Sequence, residues 1–208
     1  MFDLIIKNGS IYDGKGSKPY QADIAISNEK IVEIGDIKGE AKKVIDAEGK
    51  IVTPGFVDIH THYDGQVTWD PYLRPSTYHG VTTVVMGNCG VGFSPCKPDQ
   101  RDWLIGLMEG VEDIPGTALH EGIDWEWESF PEYLDALEKK PLAIDVGTQI
   151  PHGAVRAYVM GERGINHEEA SQEEIDTMKE IVQEAIKAGA YGFSTSRTEK
   201  HNDVNGNL

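Results

Sequence analysis

The sequence predicts an α/β fold with two parts: a small all-β module in residues 1–54 and a region of alternating strands and helices in residues 55–208. In the first part, short runs with apolar residues at every second position are separated by turn signals such as Asn28-Glu29, which is typical of a small all-β module. In the second part, unbroken apolar strands alternate with helices. This order is typical of a parallel sheet covered by helices.

Four strands are predicted in the second part, with the sequences "FVDIH", "TTVVMGN", "LAIDVGTQ" and "AYGFSTS". A helix precedes each of the last two strands. The first helix begins at Ser129 and Glu132 and the second at Ser171 and Glu174, and both pairs have the spacing of a capping box. Residues 94–127 contain three of the four tryptophans, and we predict a long loop with helical pieces above the strand ends.

The charge balance disfavours several classes of partner. There are 35 acidic and 19 basic residues and a formal net charge of −16, so the surface should repel nucleic acid and anionic membranes. Two cysteines are too few for a secreted disulfide framework. The sequence shows neither a signal peptide nor an apolar run of the roughly 20 residues that cross a membrane. We therefore expect a cytoplasmic protein with no nucleic-acid or membrane partner.

Two histidines follow the first strand of the second part, in the stretch "GFVDIHTHYDGQ". Side chains two positions apart on a strand share a face, so His60 and His62 should point the same way, and Val57 and Ile59 the other. In a parallel barrel, inward side chains at the C-terminal strand ends form the floor of the active site. Imidazole pairs in such a position are common zinc ligands, so the spacing favours a metal site.

Cys89 follows the second strand at the position equivalent to that of His60 after the first. A thiolate there is a soft zinc ligand, although a free cysteine is more often a small buried apolar residue. A lone histidine is likewise more often a polar residue than a ligand. The combination of His60, His62 and Cys89 favours the metal site, whereas Cys96, which lies further into the loop, is expected to be a non-ligand.

The stretches "VTPGFVDIHTHYD", "HGVTTVVMGNCG", "FPEYLDAL", "IPHGAVRAYVMG" and "GFSTS" resemble the amidohydrolase superfamily, and within it the N-acyl-D-amino-acid deacylases, or D-aminoacylase group. The resemblance implies the N-terminal part of a TIM-like (β/α)8 metal-dependent hydrolase barrel preceded by a small β-sandwich module. It also implies that His60 and His62 bind zinc and that Cys89 is a zinc ligand able to bridge two metal positions, so that the parent enzyme holds one or two zinc ions.

The resemblance implies zinc-assisted attack of water on the amide carbonyl of a small-molecule N-acyl-D-amino acid or a related linear amide. Zinc lowers the pKa of bound water and polarises the carbonyl, and it stabilises the oxyanion that follows. Other branches of the superfamily use a carboxylated lysine from the fourth strand. Here that strand reads "GFSTSRTEK" and has no lysine at its core, which agrees with the cysteine branch.

The family completes its metal site with two histidines from the fifth and sixth strands and an aspartate from the eighth, which moves the proton. These residues are expected beyond Leu208, so no catalytic base is assigned within the sequence and the barrel is expected to be incomplete. Asp64 lies on the loop beyond His62 and is not expected to replace that aspartate. We therefore expect a truncated or incomplete sequence with little turnover alone. Its exposed strand edge should pair with the missing C-terminal half of the barrel or self-associate.

His152 and Arg156 follow the third strand, where a cation can face a substrate carboxylate; a hydrogen-bonded pair that fixes the loop is the alternative. Arg197 and His201 indicate either a different substrate preference or a solvated loop. Other histidines and the loop tryptophans are not assigned to metal or substrate, the tryptophans being expected to pack the loop: His79, His120, His167, Trp103, Trp125 and Trp127.

Two further functions remain open from the sequence. A cyclic amidohydrolase of the dihydroorotase or hydantoinase type shares the histidine pair, although the "GNCG" stretch and the absence of a fourth-strand lysine disfavour it. A non-catalytic metal-binding half-chain that needs a partner is the other alternative. The acyl group and the amino-acid side chain of the substrate do not follow from the sequence.

Overall fold

A computed structural model describes residues 1–112 and 114–197. The chain divides into two compact units, Met1–Gly55 and Phe56–Leu208. His201, one of the residues considered for substrate preference, lies outside the described residues.

The first unit contains one five-stranded sheet. Its strands are β1 (Phe2–Ile11), β2 (Tyr20–Ser27), β3 (Lys30–Gly35), β4 (Ala41–Asp46) and β5 (Ile51–Val52).

The strand order is β3-β2-β1-β4, with β5 also paired to β1. The turn predicted at Asn28-Glu29 is confirmed, because both residues have positive φ angles, of 49° and 62°, as the tight turn of a two-residue hairpin requires. Ile5, Ala25 and Ile37 form a small core. Residues 1–55 thus supply one sheet, and the second layer of a sandwich stays a prediction.

The second unit is built on parallel strands that follow one another in chain order. They are β6 (Phe56–Asp58), β7 (Val81–Met86), β8 (Asp145–Thr148), β9 (Ile150–Pro151) and β10 (Phe193–Ser194).

The three strands β6, β7 and β8 form one sheet, and β9 pairs with β10. Only Gln149 separates β8 from β9. Because β6 and β7 are parallel neighbours, their carboxyl ends lead into loops on the same side, which is where α/β proteins place their functional side chains.

The helices of the second unit connect these strands. They are α1 (Arg101–Glu112), α2 (Gly116–Gly122), α3 (Phe130–Glu138), α4 (His152–Met160), α5 (Glu162–Ile165) and α6 (Gln172–Ala188).

Both predicted capping boxes are confirmed: Ser129 caps α3 with Glu132, and Ser171 caps α6 with Glu174. The segment predicted to be a loop with helical pieces contains α1 and α2, which are more regular than expected. The largest buried side chains of the core include Phe93, Phe130 and Tyr133, and α3 and α6 pack against each other.

One apolar surface of the second unit, at β6, is exposed. Val57 and Ile59, predicted to point outward from β6, are 58% and 72% exposed, and no helix in the described part of the chain covers them. No helix of the described residues is both long and apolar enough to cross a membrane.

Candidate metal centre

Two histidines project from the chain just beyond β6. The backbone N–H of Thr61 donates to the carbonyl of Val85 at 3.0 Å, and its hydroxyl donates to the same carbonyl at 2.9 Å, so this segment stays beside β7 after the strand ends. Thr61 is buried, and the alternation of a strand turns its two neighbours the other way. The imidazole rings of His60 and His62 consequently lie together, with centroids 5.5 Å apart.

The loop after β7 brings a thiol to this pair. Gly87, Cys89 and Gly90 have positive φ angles of 73°, 57° and 78°. That conformation costs a non-glycine residue on the order of 1–2 kcal/mol. It places the Sγ atom of Cys89 3.2 Å from Nε2 of His60. Ligand atoms of His60, His62 and Cys89 all lie within 4.8 Å of one another, so the structure brings together the three residues that the sequence predicted as ligands.

The donor atoms have a spacing that suits a small cation. Zinc lies about 2.0–2.1 Å from imidazole nitrogen and about 2.3 Å from thiolate sulfur, so tetrahedral neighbours are about 3.3–3.7 Å apart. The separation of 3.2 Å between His60 and Cys89 is close to this value, and side-chain rotation by on the order of 1 Å brings atoms less than 4.8 Å apart to it. The residues therefore fit a zinc-type ion, with a fourth coordination position left for another group.

Asn88 ties together the strand ends that carry these ligands. It is 6% exposed, and its Nδ2 donates to the carbonyls of Thr61 and Val85 at 3.1 and 2.9 Å. Its Oδ1 accepts from Nε2 of Gln149 at 2.8 Å. One side chain thus links the segments that follow β6, β7 and β8, and the carbonyl of Thr61 belongs to the residue between the two histidines. Asn88 therefore fixes the spacing of the candidate ligands.

Replacing Asn88 by alanine is expected to lower the free energy of unfolding by about 3 kcal/mol, because one buried and two partly buried hydrogen bonds, worth about 1 kcal/mol each, are lost. We also expect zinc to bind about tenfold more weakly, since residues that orient ligands have effects of this size. Chemical denaturation and competition with a chromophoric chelator measure the two effects. Asn166→Ala, at an exposed position, is the control. An unchanged zinc affinity would restrict Asn88 to a role in folding.

A second clamp comes from β10. The hydroxyl of Ser194 accepts from the backbone N–H of Gly90 at 3.0 Å and donates to the carbonyl of Gly87. The backbone N–H of Gly153, in the first turn of α4, donates to the carbonyl of Gly90 at 2.8 Å. The loop that carries Cys89 is therefore held on several sides by neighbouring segments.

Two carboxylates lie close to the candidate ligands. Asp64 is 2% exposed, and burial raises its pKa to about 7, with a smaller contribution in the same direction from the negative charge of Glu112. Glu112, at the end of α1, places Oε1 3.1 Å from Nε2 of His62. Burial, followed by the charges of Glu112 and Asp64, raises the pKa of the Cys89 thiol. The sequence did not single out Glu112, although its spacing from Met108 in α1 is a detectable signal.

His152 lies at the start of α4, beyond β9. Its Nδ1 is 3.2 Å from the hydroxyl of Thr195, and its ring contacts that of Phe193 edge to face, with centroids 5.7 Å apart. Burial lowers the pKa of His152, and the positive charges of Arg156 and Arg197 lower it further. A neutral imidazole at neutral pH follows, which is able to donate or accept one hydrogen bond towards a ligand.

The guanidinium of Arg156, unlike the His152 ring, donates to backbone carbonyls of the segment that follows α4. Its Nε donates to the carbonyl of Gly164 at 3.3 Å, and its terminal nitrogen donates to the carbonyl of Glu168. These contacts hold the segment around α5 and favour the loop-fixing alternative over contact with substrate.

Cys96 and the loop tryptophans Trp125 and Trp127 have packing contacts and lie outside the ligand cluster. Cys96 is fully buried, and burial raises its pKa to about 12, so it remains a protonated thiol. It is not among the residues of the ligand cluster. Trp127 donates from Nε1 to the carbonyl of Phe93 at 2.8 Å and packs against Trp125 and Tyr133. These contacts agree with the expected packing role of the loop tryptophans.

Comparison with known proteins gives a consistent set of relatives. The model of the "Amidohydrolase family" matches residues 43–206. A D-aminoacylase of Alcaligenes xylosoxydans xylosoxydans is 34% identical over 195 residues, and an N-acyl-D-aspartate deacylase of the same organism is 34% identical over 194 residues. The crystal structure of an N-acyl-D-glutamate deacylase from Bordetella bronchiseptica, complexed with zinc and a phosphonate inhibitor, superposes with a TM-score of 0.78 at 32% identity.

These matches cover most of this chain but a minority of each relative. The two Alcaligenes proteins match 93% of this chain, which corresponds to 37% and 36% of their own lengths. The Bordetella structure is matched over 93% of this chain and 38% of its own. The chain thus spans a little over a third of the length of these relatives.

Proposed function

Because this chain belongs to the amidohydrolase family, we propose that it carries part of the active site of a zinc-dependent hydrolase that cleaves the amide bond of N-acyl-D-amino acids or related linear amides. The observation that supports this most directly is the cluster of His60, His62 and Cys89, whose ligand atoms lie within 4.8 Å of one another. The deacylases that match 93% of the chain supply the substrate class. Zinc is proposed because of the donor set and the zinc in the Bordetella deacylase.

In this proposal the described residues build the floor of one site. His60 and His62 would supply neutral imidazole nitrogens, and Cys89 would supply a thiolate after releasing its proton on metal binding. A zinc ion held there would polarise the scissile carbonyl. Asn88 and Ser194 keep the ligand segments in register through the hydrogen bonds described above. His152, neutral and next to Thr195, is the proposed contact to the substrate, while Arg156 retains a role in fixing the loop.

The fold supports the same proposal. In the described part of the second unit, β6, β7 and β8 pair in parallel in chain order, and β9, which follows β8 after one residue, pairs in parallel with β10. We propose that they form consecutive strands of a TIM-like (β/α)8 barrel with the candidate ligands at its C-terminal face. Residues 1–55 form a separate β module in this arrangement.

Metal binding by the 208-residue chain tests the first half of the proposal. We expect one equivalent of zinc to be retained after equilibrium dialysis. We also expect cobalt, substituted for zinc, to show the near-ultraviolet absorption of a thiolate ligand. A His60→Asn/His62→Asn double variant is expected to lose both signals. Failure of the wild-type chain to retain zinc would contradict the proposed centre.

The substrate class is tested with the zinc-loaded chain and a panel of N-acetyl-D-amino acids, N-acetyl-L-amino acids and cyclic amides such as hydantoin. Release of free amine is expected from the D-isomers only, at a rate well below that of a D-aminoacylase assayed in parallel, because no general base is identified among the described residues. Hydrolysis of the cyclic amides in preference to the linear ones would instead favour the cyclic amidohydrolase alternative.

A further inference from the structure

Glu112 is a carboxylate in the candidate metal centre that the ligand pattern of the sequence does not include. Its Oε1 lies 3.1 Å from Nε2 of His62, with the two side chains 24% and 11% exposed. Glu112 and both histidines line the same cavity, of about 340 Å³, together with Gln66 and Ser76. A carboxylate therefore borders this cavity beside His62, outside the cluster formed by His60, His62 and Cys89.

The sequence of α1 directs Glu112 to this place. Leu104 and Met108 are buried, and Glu112 follows them at the same spacing of four residues, which puts all three on one face of the helix. An apolar residue is the ordinary choice at the end of such a buried stripe. The backbone N–H of Gly116, the first residue of α2, donates to the carboxylate of Glu109 at 3.1 Å and so ties α2 to α1. The packing of the buried face of α1 thus places Glu112 beside His62.

We propose that Glu112 is a further ligand of the metal ion, so that the described residues contribute two imidazoles, one thiolate and one carboxylate to the centre. This inference rests on the proposed function, because it concerns the same ion. Two donors that share a zinc ion are roughly 3.3 Å apart when both bonds are about 2.0–2.1 Å long. The contact between His62 and Glu112 has almost this length without further movement.

The charge of the described donors supports the carboxylate. Zinc carries two positive charges, and a thiolate with two neutral imidazoles cancels only one of them. A carboxylate from Glu112 cancels the second, which lowers the cost of holding the ion in a half-buried pocket. The alternative is that Glu112 only binds His62 and has to be displaced when metal arrives. The two roles predict changes of opposite sign in metal affinity when the carboxylate is removed.

The test compares the zinc affinity of four proteins, the wild-type chain and the variants Glu112→Gln, Glu121→Gln and Cys89→Ser, by competition with a chromophoric chelator. Glu121 is an exposed carboxylate of α2, so its variant controls for the loss of one negative charge. We expect Glu112→Gln to bind zinc at least about tenfold more weakly than wild type, a loss of about 1.4 kcal/mol or more, and Glu121→Gln to bind it equally well. Circular dichroism and thermal melting verify that each variant is folded.

A second readout is the visible absorption of the cobalt-substituted chain, which reports the number and type of ligands. Loss of a carboxylate ligand should change the bands of Glu112→Gln and leave those of Glu121→Gln unchanged. Glu112→His, which restores a ligand of another type, is expected to recover part of the lost affinity. An affinity of Glu112→Gln equal to or above that of wild type overturns the inference while leaving the proposed function intact. Weaker zinc binding with unchanged cobalt bands also overturns it, because a carboxylate that only orients His62 has that effect. If wild type and Cys89→Ser both fail to bind zinc, the proposed function and the inference fall together.

Discussion

Cys89→Ser is expected to weaken zinc binding by at least about 100-fold. Apparent binding free energies of structural zinc sites are roughly 10–16 kcal/mol, so loss of one strong ligand removes about 3 kcal/mol, and each 1.4 kcal/mol is a factor of about ten. Serine is nearly isosteric but offers a hydroxyl that stays protonated, which is a poor zinc ligand. The backbone at Cys89, with a φ angle of 57°, accepts serine as readily as cysteine, so the effect is on the metal.

The matched control for this experiment is the other cysteine. Cys96 is fully buried and its Sγ donates to the carbonyl of Lys97 at 3.3 Å, outside the ligand cluster. Cys96→Ala should lower stability through the loss of buried volume and leave zinc affinity unchanged. Chelator competition and the thiolate absorption of bound cobalt measure both variants. Retention of wild-type affinity and of the thiolate absorption by Cys89→Ser would remove Cys89 from the centre.

The contrast between these cysteines illustrates which parts of the site the sequence can predict. Strand periodicity alone places His60 and His62 on one face, and the position of Cys89 after the next parallel strand places it at the same edge. The structure brings these three together because parallel strands in chain order have their carboxyl ends side by side. Sequence periodicity is therefore enough to predict candidate ligands that neighbouring parallel strands bring together.

The contacts that Glu112 and Arg156 make with other segments could not be predicted from the periodicity of the sequence. Glu112 reaches His62 through the packing of α1, and that segment reads as a loop because Pro, Gly and Trp interrupt its surroundings. Arg156 has the charge and position of a substrate contact, yet its guanidinium is taken up by the carbonyls of Gly164 and Glu168. Neither the destination of a long side chain nor the partner of a distant helix follows from periodicity.

Substitution of Gly87 is expected to destabilise the protein strongly, because the loop that holds Cys89 depends on a glycine at this position. Its φ angle is 73°, and a Cβ atom there would overlap the backbone of Gln149, including the carbonyl oxygen. Backbone cannot move aside as a flexible side chain does. The carbonyl of Gly87 also accepts a hydrogen bond from the hydroxyl of Ser194. A side chain at position 87 therefore has to push apart the loop after β7 and the residue that joins β8 to β9.

Gly87→Ala is expected to lower the free energy of unfolding by about 4 kcal/mol or more, because about 1–2 kcal/mol of left-handed strain adds to the steric overlap. That is a large fraction of the total stability of an ordinary domain, roughly 5–15 kcal/mol. Gly80→Ala separates the two contributions. Gly80 has a similar φ angle of 84°, but a Cβ there meets only the Phe56 ring, at 3.5 Å. Its substitution should therefore cost only about 1–2 kcal/mol. Urea denaturation of both variants measures the difference, and equal losses would show that the contact with Gln149 does not constrain the loop that carries Cys89.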